Sequence, residues 1–135
     1  MNAAQLSGST LAFVGDAVYG LMVRERLAET ERPLSMLHKY SVEFVNANAQ
    51  AEAFELIKDM LTEEEAGIFK RGRNSKVSNI PKNSGVSEYH AATGLEALFG
   101  YLYLAGERER LCRIFDVIWQ SKSKDVEKSN ADQLN

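Results

Sequence analysis

Residues 11–27, LAFVGDAVYGLMVRERL, constrain the fold more than any other stretch of the chain. Their spacing predicts a helix from about Ser9 to Ala28, with Ser9 or Thr10 as N-cap. On a helical wheel Leu11, Val14, Ala17, Val18, Leu21 and Met22 form one broad apolar face. Asp16 points nearly the opposite way, yet Ala12, Tyr19, Val23 and Leu27 lie on its own side. A helix that is apolar nearly all round has to be covered on both sides. In a chain of 135 residues the cover comes from the domain itself or from a second subunit. An ionised Asp16 in such a place costs several kcal/mol unless it is paired, hydrogen-bonded or bound to metal.

The remaining segments also read as helices. Pro33 opens a helix over 34–45, with Leu34, Leu37, Tyr40 and Phe44 at helical spacing. Asn46 or Asn48 caps the next, over AQAEAFELIKDML. Thr62 and Glu65 fit a capping box that opens a short helix towards Lys70. Residues 72–87 read as a long polar loop, 88–104 as a helix ended by Gly106, and 107–120 as a last helix. In that last helix Leu111, Ile114, Phe115 and Ile118 share one face, while 121–135 read as a polar, disordered tail. No segment alternates cleanly enough for a strand, so the expectation is an all-α helical bundle, one domain over 1–120. A hydrophobic fraction of 44% can supply its core. The lone Cys112 cannot form an internal disulfide, which favours a reducing compartment. No apolar run is long enough to span a membrane and the first residues lack a signal-peptide pattern, so a cytoplasmic protein is expected.

The net charge of −3 argues against generic nucleic-acid binding. Its distribution argues otherwise. Residues 66–87 hold Lys70, Arg71, Arg73, Lys76 and Lys82 and no acid, which leaves −8 on the rest of the chain. A second isolated acid sits in AATGLEALFGYLYL, residues 91–104. There Ala91, Leu95, Leu98, Phe99 and Leu102 make the core face, and Glu96 lies at its margin beside Ala92, Thr93 and Gly100. Two readings stand side by side. Asp16 and Glu96 either cap a helix or pair with an arginine, or together they hold a hard cation such as Mg²⁺ over which the basic loop positions a polyanion.

The motifs resemble a known family. LAFVGDAVYGLMVRERL resembles the signature helix of the ribonuclease III family, whose usual form is close to LEFLGDAVL. GLEALFGYLYL resembles its second acidic motif, D-x-x-EAL-x-G, and FKRGRN lies between the two. KRGRN, PKN and EAL-x-GYLYL are characteristic of the Mini-III subgroup, which has the nuclease domain without a double-stranded-RNA-binding domain. The resemblance covers roughly residues 5–120. It implies that Asp16 and Glu96 are catalytic ligands of Mg²⁺, and that Phe13 packs across the interface of a two-fold homodimer. It also implies cleavage of double-stranded RNA to 5′-phosphate and 3′-hydroxyl ends with staggered cuts. The substrate implied is precursor 23S ribosomal RNA, with a large-subunit ribosomal protein as a possible helper. Ser9, Ala12 and Thr93 stand where larger relatives carry further acids. Lys70, Arg71, Arg73, Lys76 and Lys82 are then the phosphate-binding set. Ser41, Asn46, Asn48 and Gln50 are weaker candidates for groove contacts, followed by His38 and Lys39. Tyr89 and His90 are read as half-buried, Cys112 and Trp119 as packing residues. The alternatives are a non-catalytic RNA-binding dimer on the same fold and a helical module whose basic loop meets an acidic protein.

Overall fold

A computed structural model describes residues 1–75 and 85–134, with 125–134 described as backbone alone. Lys76 and Lys82, two of the five expected phosphate-binding cations, therefore lie outside the described residues. Six α-helices follow one another: α1 Gly8–Ala28, α2 Leu34–Val45, α3 Ala47–Ile57, α4 Glu63–Arg73, α5 Val86–Leu104 and α6 Arg108–Leu134. Short 3₁₀ turns occupy Ala3–Gln5 and Lys58–Met60. No strand occurs among the described residues, as the all-α reading expects.

α1 and α5 form the central pair, α4 and α3 pack on α5, and α2 packs on α1. The core between them is aromatic at its centre. Tyr19 meets Phe99 edge-on at 5.0 Å and Phe115 at 5.8 Å, and Trp119 stacks on Phe44 at 5.1 Å. The four α6 residues expected to face inward, Leu111, Ile114, Phe115 and Ile118, are all buried.

Local signals set most helix starts. Thr62 and Glu65 make a complete capping box: Thr62 Oγ1 accepts from the Glu65 N–H at 3.1 Å and Glu65 Oε1 accepts from the Thr62 N–H at 2.8 Å. Asn46, not Asn48, caps α3 by accepting from the Ala49 N–H at 2.8 Å. α1 begins earlier than expected, because Ser7 rather than Ser9 or Thr10 holds the extended N-cap conformation and accepts from the Thr10 N–H at 3.1 Å. α4 carries Glu63, Glu64 and Glu65 in its first turn and Lys70, Arg71 and Arg73 in its last, both matched to the helix dipole. That charge pattern extends α4 to Arg73, so the segment expected to be loop from 72 begins later. At the other end, α6 was expected to stop near 120 and instead runs to Leu134. Residues 121–134 contain no Pro or Gly to stop it.

The wheel for α1 needs correction. Leu11 and Val18 are buried, but so are Ala12, Tyr19, Val23 and Leu27 from the Asp16 side. Ala17 and Leu21 face outward. Cys112 is exposed rather than packed, because it falls between Leu111 and Ile114 on the outward side of α6.

Candidate active site

Two glycines bring the acids together. A methyl group at Gly15 would overlap the Glu96 carbonyl oxygen, and one at Gly100 would overlap the Leu11 carbonyl oxygen. α1 and α5 thus touch backbone to backbone, which only glycine permits. Asp16 is the next residue after Gly15, and Glu96 is one turn before Gly100. The spacing of both motifs is the spacing of this contact. The acid and the glycine in each motif belong to one device.

Asp16 stands at the exposed mouth of the site, and Glu96 is half-buried behind it. Burial pushes the Glu96 carboxyl up to about 8; a hydrogen bond with Asp16 and then the Asp16 charge push in the same direction. The structure therefore answers why α1 carries an acid. Asp16 is not buried within this chain, and its partner is another carboxylate. Two adjacent oxygen donors that resist being charged together are a natural seat for a hard divalent cation. No group of three or more Asp, Glu, His or Cys that could hold a metal occurs among the described residues. The positions of the expected missing acids are otherwise occupied: Ala12 packs with Leu11, Ile68 and Ala97, and Thr93 Oγ1 donates to the Tyr89 carbonyl at 3.0 Å. Ser9 is exposed.

A hollow of about 400 Å³ opens beside Asp16, lined also by Ala17, Gly20, Leu21, Arg24, Ser41 and Val45. Arg24, two turns along α1 on the Asp16 stripe, was not singled out in the sequence; a cation at eight residues' remove from the acid was the signal available. Next to the hollow runs an apolar face. Phe13 is 81% exposed, Leu21 62%, Val42 59% and Val45 39%.

The basic end of α4 lies against the same part of α5. A methyl group at Gly72 would stand 2.5 Å from Ala97 Cβ and 3.0 Å from Gly94, so α4 abuts the turn that carries Glu96. Lys70 is exposed. Arg73 lies with its guanidinium 5.9 Å from the Phe69 ring centre. Arg71 has a structural task as well: its Nη1 donates to the Ala4 carbonyl at 2.6 Å and the Leu6 carbonyl at 3.0 Å, tying down the N-terminal segment. The groove candidates divide. Ser41 is buried and donates to the His38 carbonyl at 2.8 Å, Gln50 is buried, and Asn46 is the α3 cap, while Asn48, His38 and Lys39 are exposed. Tyr89 and His90 are half-buried, as expected. Sequence reasoning missed Arg110, which pairs with buried Glu65 through two hydrogen bonds of 2.9 and 2.8 Å and joins α6 to α4.

Known proteins share both sequence and architecture with this chain. The Ribonuclease III domain model matches residues 9–107. A Mini-ribonuclease 3 of Thermoanaerobacter sp. is 51% identical over 113 residues, covering 83% of this chain and 80% of that protein. One of Symbiobacterium thermophilum is 45% identical over 114 residues, covering 84% and 88%. A crystal structure of a Fusobacterium nucleatum protein superposes with a TM-score of 0.81 at 33% identity, covering 87% of this chain and 95% of that one. With the match running from before Asp16 to beyond Glu96, the chain belongs to the ribonuclease III family, in its Mini-ribonuclease 3 branch.

Proposed function

We propose that this endoribonuclease cleaves double-stranded RNA with Mg²⁺ held between Asp16 and Glu96. The observation that carries the proposal is the carboxylate pair itself, locked by Gly15 and Gly100, with Glu96 pushed up to about 8 by burial and by its neighbour Asp16. The donor set fits the ion: all oxygen, few protein ligands, and an open mouth for phosphate and water. The chemistry a bound Mg²⁺ supplies is activation of a water and neutralisation of charge on the phosphodiester. Asp16, the exposed acid, and Glu96, in its deprotonated form, would hold the ion between them. Lys70 and Arg73 hold RNA phosphates beside the site, and Arg71 shares that task with its bonds to Ala4 and Leu6; Lys76 and Lys82 complete the phosphate-binding set that the sequence implies. In-line attack of water on phosphorus, with the bond to the 3′ oxygen breaking and that oxygen taking up a proton, would leave 5′-phosphate and 3′-hydroxyl ends.

The apolar face of Phe13, Leu21, Val42 and Val45 supports a homodimer, in which two sites lie across one duplex. A-form RNA is gripped through phosphates, 2′-hydroxyls and shape, which suits a surface that carries cations. The substrate we propose is precursor 23S ribosomal RNA, with a large-subunit ribosomal protein as a partner, as the motif resemblance implies. No helix among the described residues is long and apolar enough to cross a membrane.

The absence of acids at Ser9, Ala12 and Thr93 favours one competing reading, a non-catalytic RNA-binding dimer. Incubating a duplex RNA with wild type, Asp16→Asn and Glu96→Gln, with and without Mg²⁺, separates the two. Cleavage by wild type alone, and only with Mg²⁺, is expected. Duplex binding without cleavage would leave the binding dimer, and no binding at all would favour a protein-interaction module.

A further inference from the structure

The family motifs do not account for the hydroxyl of Tyr19. This residue lies one turn after Asp16 on α1 and is 1% exposed. Its ring is held edge-on by Phe99, which lies one turn after Glu96 on α5, and by Phe115 of α6. With the ring fixed between them, the direction of the C–O bond is fixed too. The hydroxyl is buried and has no hydrogen-bond partner. Burying a donor without an acceptor is unfavourable, and phenylalanine would fill the same volume without that penalty. Long side chains on a helix lean towards its N-terminus. Tyr19 therefore leans back to the level of Gly15, where the backbone of Glu96 lies against α1. Burial, and after it the charge of Glu96, hold the phenol far above its usual range.

We infer that Tyr19 is a positioning residue: its hydroxyl is held in reserve for the Glu96 carboxylate and donates to it once a divalent cation sits on the Asp16–Glu96 pair. Without the cation, Glu96 bonds to Asp16 and the phenol goes unpaired. With it, each carboxylate oxygen of Glu96 has a defined partner, and the carboxylate has one orientation. Such an outer donor is how proteins fix metal-binding carboxylates. The inference rests on the cation site proposed above.

Tyr19→Phe tests it, since the ring contacts remain. The probe is Mn²⁺, titrated calorimetrically into metal-free protein, with Asp16→Asn as the control that marks heat from this site. The expected result is Mn²⁺ binding about tenfold weaker in Tyr19→Phe, the loss of one hydrogen bond to a charged group. The metal-free melting temperature should be equal or higher, because the hydroxyl bonds to nothing in that state. The kcat on duplex RNA at limiting Mg²⁺ should fall while KM for RNA stays the same. Unchanged Mn²⁺ affinity would overturn the inference and leave the cation site intact. So would a lower metal-free melting temperature at unchanged affinity, which would make the hydroxyl a structural bond. Wild type that binds no Mn²⁺ would remove the site, and the inference with it.

Discussion

Glu96→Gln should stabilise the metal-free protein at high pH and leave it unchanged in acid. In the fold the Glu96 carboxyl holds its proton up to about pH 8, against an ordinary value of 4.5. Below pH 4.5 both folded and unfolded chains carry that proton, and it does not discriminate between them. As pH rises from there, the unfolded chain releases the proton while the folded chain keeps it, so stability falls. Above pH 8 both have released it and the full penalty is present. At 1.36 kcal/mol per unit the shift sets a ceiling of about 4–5 kcal/mol; partial solvation of Glu96 beside an exposed Asp16 brings the expected effect to about 2–4 kcal/mol. Glutamine has no proton to lose, and its amide can donate to Asp16. The difference in stability between Glu96→Gln and wild type should thus grow from near zero at pH 4.5 to about 2–4 kcal/mol at pH 8.5. Urea unfolding in EDTA, followed by circular dichroism across that range, measures it. Added Mg²⁺ should then stabilise wild type by mass action and leave Glu96→Gln unmoved. A difference that does not change with pH, or a variant less stable than wild type at pH 8.5, would refute the account of the carboxylate pair.

Gly100→Ala should force α1 and α5 apart, lowering stability by about 3 kcal/mol and weakening Mn²⁺ binding together; a wild-type melting temperature would disprove the backbone contact. Arg110→Ala leaves Glu65 buried without its partner and should cost about 2–4 kcal/mol, with the loss shrinking as pH falls through the lowered Glu65 range, as read by urea unfolding. Lys70→Ala with Arg73→Ala should reduce the slope of log affinity against log salt by about 1–2 in filter binding to duplex RNA with EDTA present, and an unchanged slope would remove α4 from the interface. Phe13→Ala should weaken self-association in sedimentation experiments without lowering the melting temperature of the monomer, because Phe13 makes no core contact.

Much of this was legible in the sequence, and the failures share a physical cause. Caps and faces are local: the Thr62–Glu65 box, Asn46 and the inward stripe of α6 need only neighbours three or four residues away. The two acids stood out because each interrupts an apolar helix. α1 could not be oriented from its own pattern, since a helix apolar on both sides gives no preference. Only α5, arriving through Gly100, decides that Tyr19 and Val23 face the core while Phe13 and Leu21 face out. Long-range uses of charge were equally hidden. Arg71 reads as a free cation until the Ala4 and Leu6 carbonyls are beside it, and Glu65 reads as a cap until Arg110 arrives from 45 residues away. Polarity alone does not stop a helix: residues 121–134 are polar, yet with no Pro or Gly among them α6 runs on to Leu134.

The contact of Gly15 with Gly100 has a consequence for how this chain can change over generations. The gap between the two carboxylates is set by peptide groups and not by side chains in the core. Residues around Tyr40, Phe44 or Ile118 can drift, repack and alter melting temperature, yet the gap keeps its width. The reverse also holds. There is no methyl to trim and no rotamer to switch that would tune the gap by small steps, so this joint tolerates either its own glycines or none of the chemistry.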